Sequence, residues 1–211
     1  MSDKYAYIII YAIILITGIV SYKKYNHSLL LKFWLYFLVY SFLTELVASY
    51  FIHILKVRAY LLYNLWGIIS TLFYLIFYSY ILKKKIRKRF AFLLIMVFVV
   101  YTIIELLFYK KIQSDILVFN SIIGMLLTVL IILIYYIELL NSDSILTLQK
   151  SLFFWISLGV LIFNIGLIPV YVIGELIDWQ GIFNYIILIL NIVMAGCFIT
   201  GFTASKKEFN N

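Results

Sequence analysis

Seven apolar runs, each long enough to cross a bilayer as a helix, constrain this chain more than any other feature of its sequence. They lie at about 5–22, 29–55, 59–82, 90–109, 116–140, 151–173 and 182–203. A helix needs roughly 20 mostly apolar residues to cross the ~30 Å hydrocarbon layer. The polar segments between the runs are too short for a soluble domain. The pattern predicts an all-α polytopic membrane protein, a seven-transmembrane-helix bundle that forms a single domain over residues 1–211.

The composition excludes several other classes of protein. Hydrophobic residues make up 66% of the chain and charged residues 12%, whereas soluble domains have about half and a quarter. A water-soluble enzyme, a nucleic-acid-binding module and a disordered chain are therefore excluded. In a membrane protein a net charge of +8 reflects topology and anionic lipid headgroups, so no nucleic-acid partner is expected.

The distribution of Lys and Arg predicts the orientation, because cytoplasmic segments carry an excess of both. Counted on alternate sides of the seven runs, twelve lie on one side and five on the side of the N-terminus. We therefore expect the N-terminus outside and the C-terminus in the cytoplasm, in a cell membrane of plasma or bacterial inner-membrane type. The strongest topological anchor, and the expected contact with anionic headgroups, is the basic loop at 83–89, with Lys83, Lys84, Lys85, Arg87, Lys88 and Arg89.

Polar side chains inside the runs are costly in lipid, so they are expected to face the bundle interior or a wet cavity. At 100° per residue, Ser41, Thr44, Glu45 and Ser49 fall on one face of the second helix,. Five further helices each bring a polar group to the same half of the predicted membrane. The polar groups in this layer are Glu45, Asn64, Glu105, Asn120, Asn164, Asn184 and Asn191.

Two interpretations of this layer stand side by side. It predicts a ligand cavity that opens outward, with Thr71, Tyr101 and His53 as further candidate residues. Alternatively, the Asn, Ser and Thr side chains only join helices through hydrogen bonds. Glu45 and Glu105 have no Lys or Arg at a similar depth, so at least one is expected to bind a proton or a cation. His53 is either a partner for one of them or an interfacial residue.

Catalytic and cofactor motifs do not occur in the sequence. It has two His and one Cys, without a metal-binding H-E-x-x-H or C-x-x-C pattern or a G-x-S-x-G nucleophile elbow. No cofactor is expected, and an enzyme is disfavoured. The predicted function is a small ligand-binding or sensory membrane protein that acts through a partner protein. A small proton- or cation-coupled transporter and a structural or assembly subunit are the alternatives.

Overall fold

The computed structural model describes residues 5–108, 112–141, 143–177 and 181–210. These residues form seven α-helices and short 3-10 turns, without a strand among them. The helices are α1 Ala6–Val20, α2 Leu29–His53, α3 Tyr60–Ile81, α4 Lys85–Phe108, α5 Val118–Leu140, α6 Leu152–Leu176 and α7 Gly181–Ala204. Each overlaps one predicted run. Residue 109, where the fourth run ends, and Lys4, Lys110 and Lys111, which enter the charge count, lie outside the described residues.

The helix lengths confirm an all-helical membrane architecture. Helices α2 to α7 have 22 to 25 residues and are apolar enough to cross a membrane. At 1.5 Å per residue they extend over roughly 33–38 Å. Helix α1 is also apolar but has 15 residues, about 22 Å. The described residues thus form six span-length helices and one shorter apolar helix.

The outward faces of the helices carry large apolar side chains. Ile16 is 61% exposed, Phe92 63% and Leu107 72%. Exposed apolar surface of this extent is unfavourable in water, whereas hydrocarbon solvates it. The bundle is therefore suited to contact with a lipid bilayer on its outer surface.

The helices pack in a ring with α4 on its outside. Helix α1 contacts α2 and α7, α7 contacts α6, α6 contacts α5, α5 contacts α3, and α3 contacts α2, which closes the ring. Helix α4 packs mainly against α3 and α5. The N-terminal end of the bundle contains the starts of α1, α3, α5 and α7. The opposite end, called the basic end, contains residues 21–28, 82–84, 141, 143–151 and 205–210.

Aromatic rings fill the middle of the bundle. We name this set the aromatic cluster: Trp34, Phe37, Phe73, Tyr74, Phe77 and Phe198. Trp34 is 1% exposed, and its ring centroid lies 5.2 Å from that of Phe198 and 5.6 Å from that of Phe77. Trp34 lies near the start of the second apolar run, a position that predicts an anchor at the membrane interface, and this prediction is wrong. Trp34 packs in the interior because it lies on the face of α2 that contacts α3 and α7.

The fourth helix begins earlier than its apolar run. It starts at Lys85 instead of residue 90, so most of the predicted basic loop is the first turn of α4. Lys and Arg are good helix formers, and a count of apolar residues misses them. The Glu138 carboxylate holds this turn in place. It lies 3.0 Å from Arg87 Nη1 and accepts a hydrogen bond of 2.6 Å from the Lys83 backbone N–H.

The C-terminal residues 205–210 fold back against the other segments of the basic end. Asn210 is fully buried; its Oδ1 accepts a hydrogen bond from the Leu152 backbone N–H at 2.8 Å, and its Nδ2 donates to the Lys24 carbonyl at 3.2 Å. Tyr25, which follows Lys24 in the α1–α2 linker, is also buried, and its hydroxyl donates a hydrogen bond to the Gly18 carbonyl. Burial raises the pKa of Tyr25 above its ordinary value, so this hydroxyl keeps its proton. These contacts close the basic end around the start of α6.

Candidate functional site

A cavity of about 440 Å³ opens at the N-terminal end, between α1, α2, α3 and α7. Its volume is within the usual range for small-molecule sites, about 300–1,000 Å³. Its wall contains both polar and apolar side chains. The lining residues are Tyr7, Ile8, Glu45, Ser49, Ile52, His53, Tyr63, Asn184, Tyr185 and Leu188.

Glu45 is the acidic group among these lining residues. It is half-buried on the polar face of α2, where Ser41 and Thr44 are buried. No described residue makes a hydrogen bond or an ion pair with its carboxyl group. One turn deeper, the Trp66 indole N–H donates to the Ser41 hydroxyl at 3.1 Å and joins α3 to α2. The carboxyl therefore lies on a fixed helix face without a counter-ion of its own.

Tyrosines line the same cavity as this carboxyl group. Tyr7 of α1 and Tyr63 of α3 line the same cavity, and Tyr185 of α7 lies at its exposed edge. Tyr11 and Tyr63 lie close enough to Glu45 to interact with it electrostatically. A carboxylate among aromatic rings is the combination that attracts cations, because the negative charge and the ring faces act together.

His53 lines the cavity with Glu45 but is not its ion-pair partner. The two residues are eight positions apart on α2, which places them about 12 Å apart along the helix axis. No ion pair joins them among the described residues. His53 is half-buried near the end of α2, so it lies toward the mouth of the cavity and Glu45 lies deeper.

Glu105 lies in a different part of the bundle. It is 4% exposed on α4, which packs against α3 and α5, and it does not line the Glu45 cavity. The half-buried Tyr101 is on the same helix. Near this position the Asn120 amide donates to the Thr102 hydroxyl at 2.9 Å and joins α5 to α4. The polar layer expected from the sequence is thus divided into separate groups.

Asn64 binds the backbone of the α4–α5 linker. It is 5% exposed; its Nδ2 donates to the Ile112 and Asp115 carbonyls at 2.9 and 2.7 Å, and its Oδ1 accepts from the Leu117 N–H at 2.9 Å. With three partners, the side chain is already used in holding this linker against the start of α3.

Asn164 and Asn191 bond to their own helices. The Asn164 amide donates to the Val160 carbonyl at 2.7 Å, and the Asn191 amide donates to the Ile187 carbonyl at 2.9 Å. Both side chains are buried, and neither lines the N-terminal cavity. Thr71 is also buried and packs against α5, where a Cβ on Gly124 would lie 2.5 Å from its hydroxyl oxygen.

Of the candidate residues, the structure brings Glu45 and His53 to one cavity, together with Asn184 of the predicted polar layer. It places Asn64, Thr71, Tyr101, Glu105, Asn120, Asn164 and Asn191 elsewhere. The lining tyrosines were missed because tyrosine is common at membrane interfaces. For Tyr7 the usable signal was its spacing of four residues from the buried Tyr11, which places both on one face of α1.

The remaining candidate residues, those of the basic segment, lie at the opposite end from this cavity. Lys83 and Lys84 precede α4, and Lys85, Arg87, Lys88 and Arg89 belong to its first turns. All are exposed except Arg87, which is half-buried beside Glu138. The described residues contain no group of three or more His, Cys, Asp or Glu side chains that would bind a metal ion.

Comparisons with models of protein families, with curated proteins and with solved structures find no match.

Proposed function

We propose that this protein is a ligand-binding membrane protein whose N-terminal cavity takes a small organic cation, with the Glu45 carboxylate as its counter-ion. The observation that carries the proposal is Glu45 itself, a carboxyl group on the wall of a 440 Å³ cavity with no hydrogen bond or ion pair to a described residue. A carboxylate at this depth is costly unless a positive charge accompanies it.

The rest of the cavity wall supports a cation with apolar substituents. Tyr7 and Tyr63 provide aromatic rings, and Ile8 and Leu188 provide aliphatic surface. A cation–π contact with a desolvated ammonium contributes about 2 kcal/mol or more. A hydrated metal ion gains little binding energy from such a wall, whereas an alkylammonium ion places its alkyl groups against both the aromatic rings and the aliphatic side chains.

The excess of Lys and Arg at the basic end supports an outward-facing cavity. With the basic end in the cytoplasm, the mouth beside His53 opens to the exterior of a cell or inner membrane. A ligand bound there contacts α1, α2, α3 and α7 together, so binding would be sensed by the packing of these helices. In this proposal a partner protein at the basic end receives the signal.

A second candidate function is a proton- or cation-coupled transporter. It is favoured by a further cavity of about 490 Å³ at the basic end. Along α2, Leu30 lines that cavity, Glu45 lines the N-terminal one, and Trp34 and Phe37 of the aromatic cluster lie between them. Rearrangement of the cluster would give alternating access to the two cavities.

Ligand-dependent stability tests the binding proposal. The probe is tetramethylammonium chloride, compared with sodium chloride at equal concentration, and the readout is the thermal unfolding of detergent-purified protein. At a hundredfold excess over Kd, a ligand that binds only the folded state stabilises it by about 2.7 kcal/mol. We expect stabilisation of the wild type and of Glu105→Gln, and its loss in Glu45→Gln.

The matched glutamate variants make this result decisive. Retained stabilisation in Glu45→Gln, or equal loss in both variants, would contradict the assignment of the cavity. Uptake of radiolabelled tetramethylammonium into proteoliposomes separates the two functions. Uptake that depends on Glu45 favours the transporter, whereas binding without uptake favours the receptor-like protein.

A further inference from the structure

The cavity at the basic end, on which the transporter candidate also depends, has a chemistry different from that of the N-terminal cavity. It lies between the start of α2, the ends of α3 and α5, the start of α6 and the C-terminal residues. All of these segments lie where span-length helices end. The cavity is therefore at the level of lipid headgroups, where the hydrocarbon layer meets water.

One wall of this cavity is apolar and its edge is basic. Leu82 and Phe153, both buried, belong to the apolar wall. Lys83 and Lys88 line the exposed edge. This division matches an amphiphile, with a charged group at the edge and carbon chains against the wall.

The acidic lining residues leave the two lysines available. Glu138 is already paired with Arg87 and accepts hydrogen bonds from the Lys83 and Lys84 backbone N–H groups. Glu208 is exposed on the C-terminal segment, and Lys206 and Lys207 precede it in the chain. The lining contains two lysines and two glutamates. With Arg87 paired to one glutamate and Lys206 and Lys207 next to the other in the chain, the local charge is positive, which favours an anion at the edge.

Hydroxyl groups complete the polar edge. Ser28 and Ser151 line the cavity, and neither caps its own helix with its side chain. Both are able to donate hydrogen bonds to phosphate oxygens. A phosphate ester between two ammonium groups and two hydroxyls has its charge and its acceptors satisfied.

We propose that this cavity binds the headgroup of an anionic phospholipid. Lys83 and Lys88 hold the phosphate, and the apolar wall contacts the glycerol and the first acyl carbons. Each lysine beside an anionic lipid contributes about fivefold in affinity, so loss of both weakens binding by roughly 25-fold.

The test is native mass spectrometry of the full-length protein in detergent, titrated with dioctanoyl phosphatidylglycerol or dioctanoyl phosphatidylcholine. The variant is Lys83→Gln/Lys88→Gln. The matched control is Lys84→Gln/Lys85→Gln, which removes two charges from the same segment at residues that do not line the cavity. All four side chains are exposed, so folding is expected to be unchanged, and size-exclusion chromatography checks it.

We expect phosphatidylglycerol to bind the wild type and the control within twofold of each other, and the cavity variant roughly 25-fold more weakly. Equal loss in both variants would mean diffuse attraction and overturn the site, as would an absence of loss. Equal binding of phosphatidylcholine would overturn the preference for an anionic lipid. Displacement of the lipid by an equal concentration of inorganic phosphate would overturn the contribution of the apolar wall.

Discussion

Replacing Asn64 with Ala separates a structural asparagine from a ligand-binding one. The substitution removes three hydrogen bonds that join α3 to the α4–α5 linker. Each such bond has a net value of about 1 kcal/mol, and partners left unsatisfied after burial cost more. Asn64 is 5% exposed, so little water replaces it. We expect the free energy of unfolding to fall by about 3 kcal/mol.

Asn164→Ala and Asn191→Ala are the matched controls. These asparagines are equally buried, but each donates to a carbonyl four residues earlier in its own helix. That carbonyl still accepts its backbone hydrogen bond after the substitution, so the expected loss is below about 1 kcal/mol.

The assay is unfolding of the micelle-solubilised protein by increasing SDS, followed by tryptophan fluorescence and circular dichroism. Binding of tetramethylammonium is measured in parallel and is expected to persist in folded Asn64→Ala. The reasoning would be refuted if all three variants lost similar stability. It would equally fail if Asn64→Ala kept full stability but lost the cation, because Asn64 would then be a ligand residue.

Three further predictions concern the ends of the bundle. Arg87→Gln and Glu138→Gln are each expected to lower the free energy of unfolding by about 1–2 kcal/mol, because the ion pair they break is partly buried,; the double variant should lose less than the sum, as measured by SDS unfolding. Asn210→Ala removes the hydrogen bond at the start of α6 and is expected to cost about 1 kcal/mol in the same assay. In a cysteine-free background, Ser114→Cys and Lys207→Cys place exposed thiols at opposite ends. A membrane-impermeant maleimide added to intact cells should label the first and not the second.

Each of these expectations has a clear contradicting result. Strict additivity in the double variant would show that the two charges act independently. An unchanged Asn210→Ala protein would mean that the C-terminal segment is not part of the folded bundle. Labelling only at position 207 would invert the topology, and the N-terminal cavity would then face the cytoplasm.

The sequence allowed the helices and their number to be predicted because lipid imposes a local rule. Every backbone polar group must be bonded within its own segment, so an apolar run of sufficient length is enough to predict a helix. The same rule explains the error at α4. Lys85 and Arg87 belong to the helix but not to its apolar run, and only the Glu138 contact shows why the helix begins there.

The candidate site was predictable only in part. The polar face of α2, with Ser41 and Glu45, follows from helical periodicity alone. What faces Glu45 does not, because it depends on which helices become neighbours. Helix α4 packs outside the ring, so Glu105 lies apart from Glu45 although the two have a similar predicted depth.

The seven apolar runs thus determined the helices and their order, and the polar segments between the runs determined the excess of Lys and Arg at one end. All three features depend on residues close together in the chain. The tertiary structure decided the use of each polar group. Asn64 forms hydrogen bonds with the α4–α5 linker, Glu138 forms an ion pair with Arg87, and Glu45 lines a cavity together with tyrosines. Depth and periodicity place a side chain on its own helix, but a hydrogen bond or an ion pair requires a partner that only the packing of distant segments supplies.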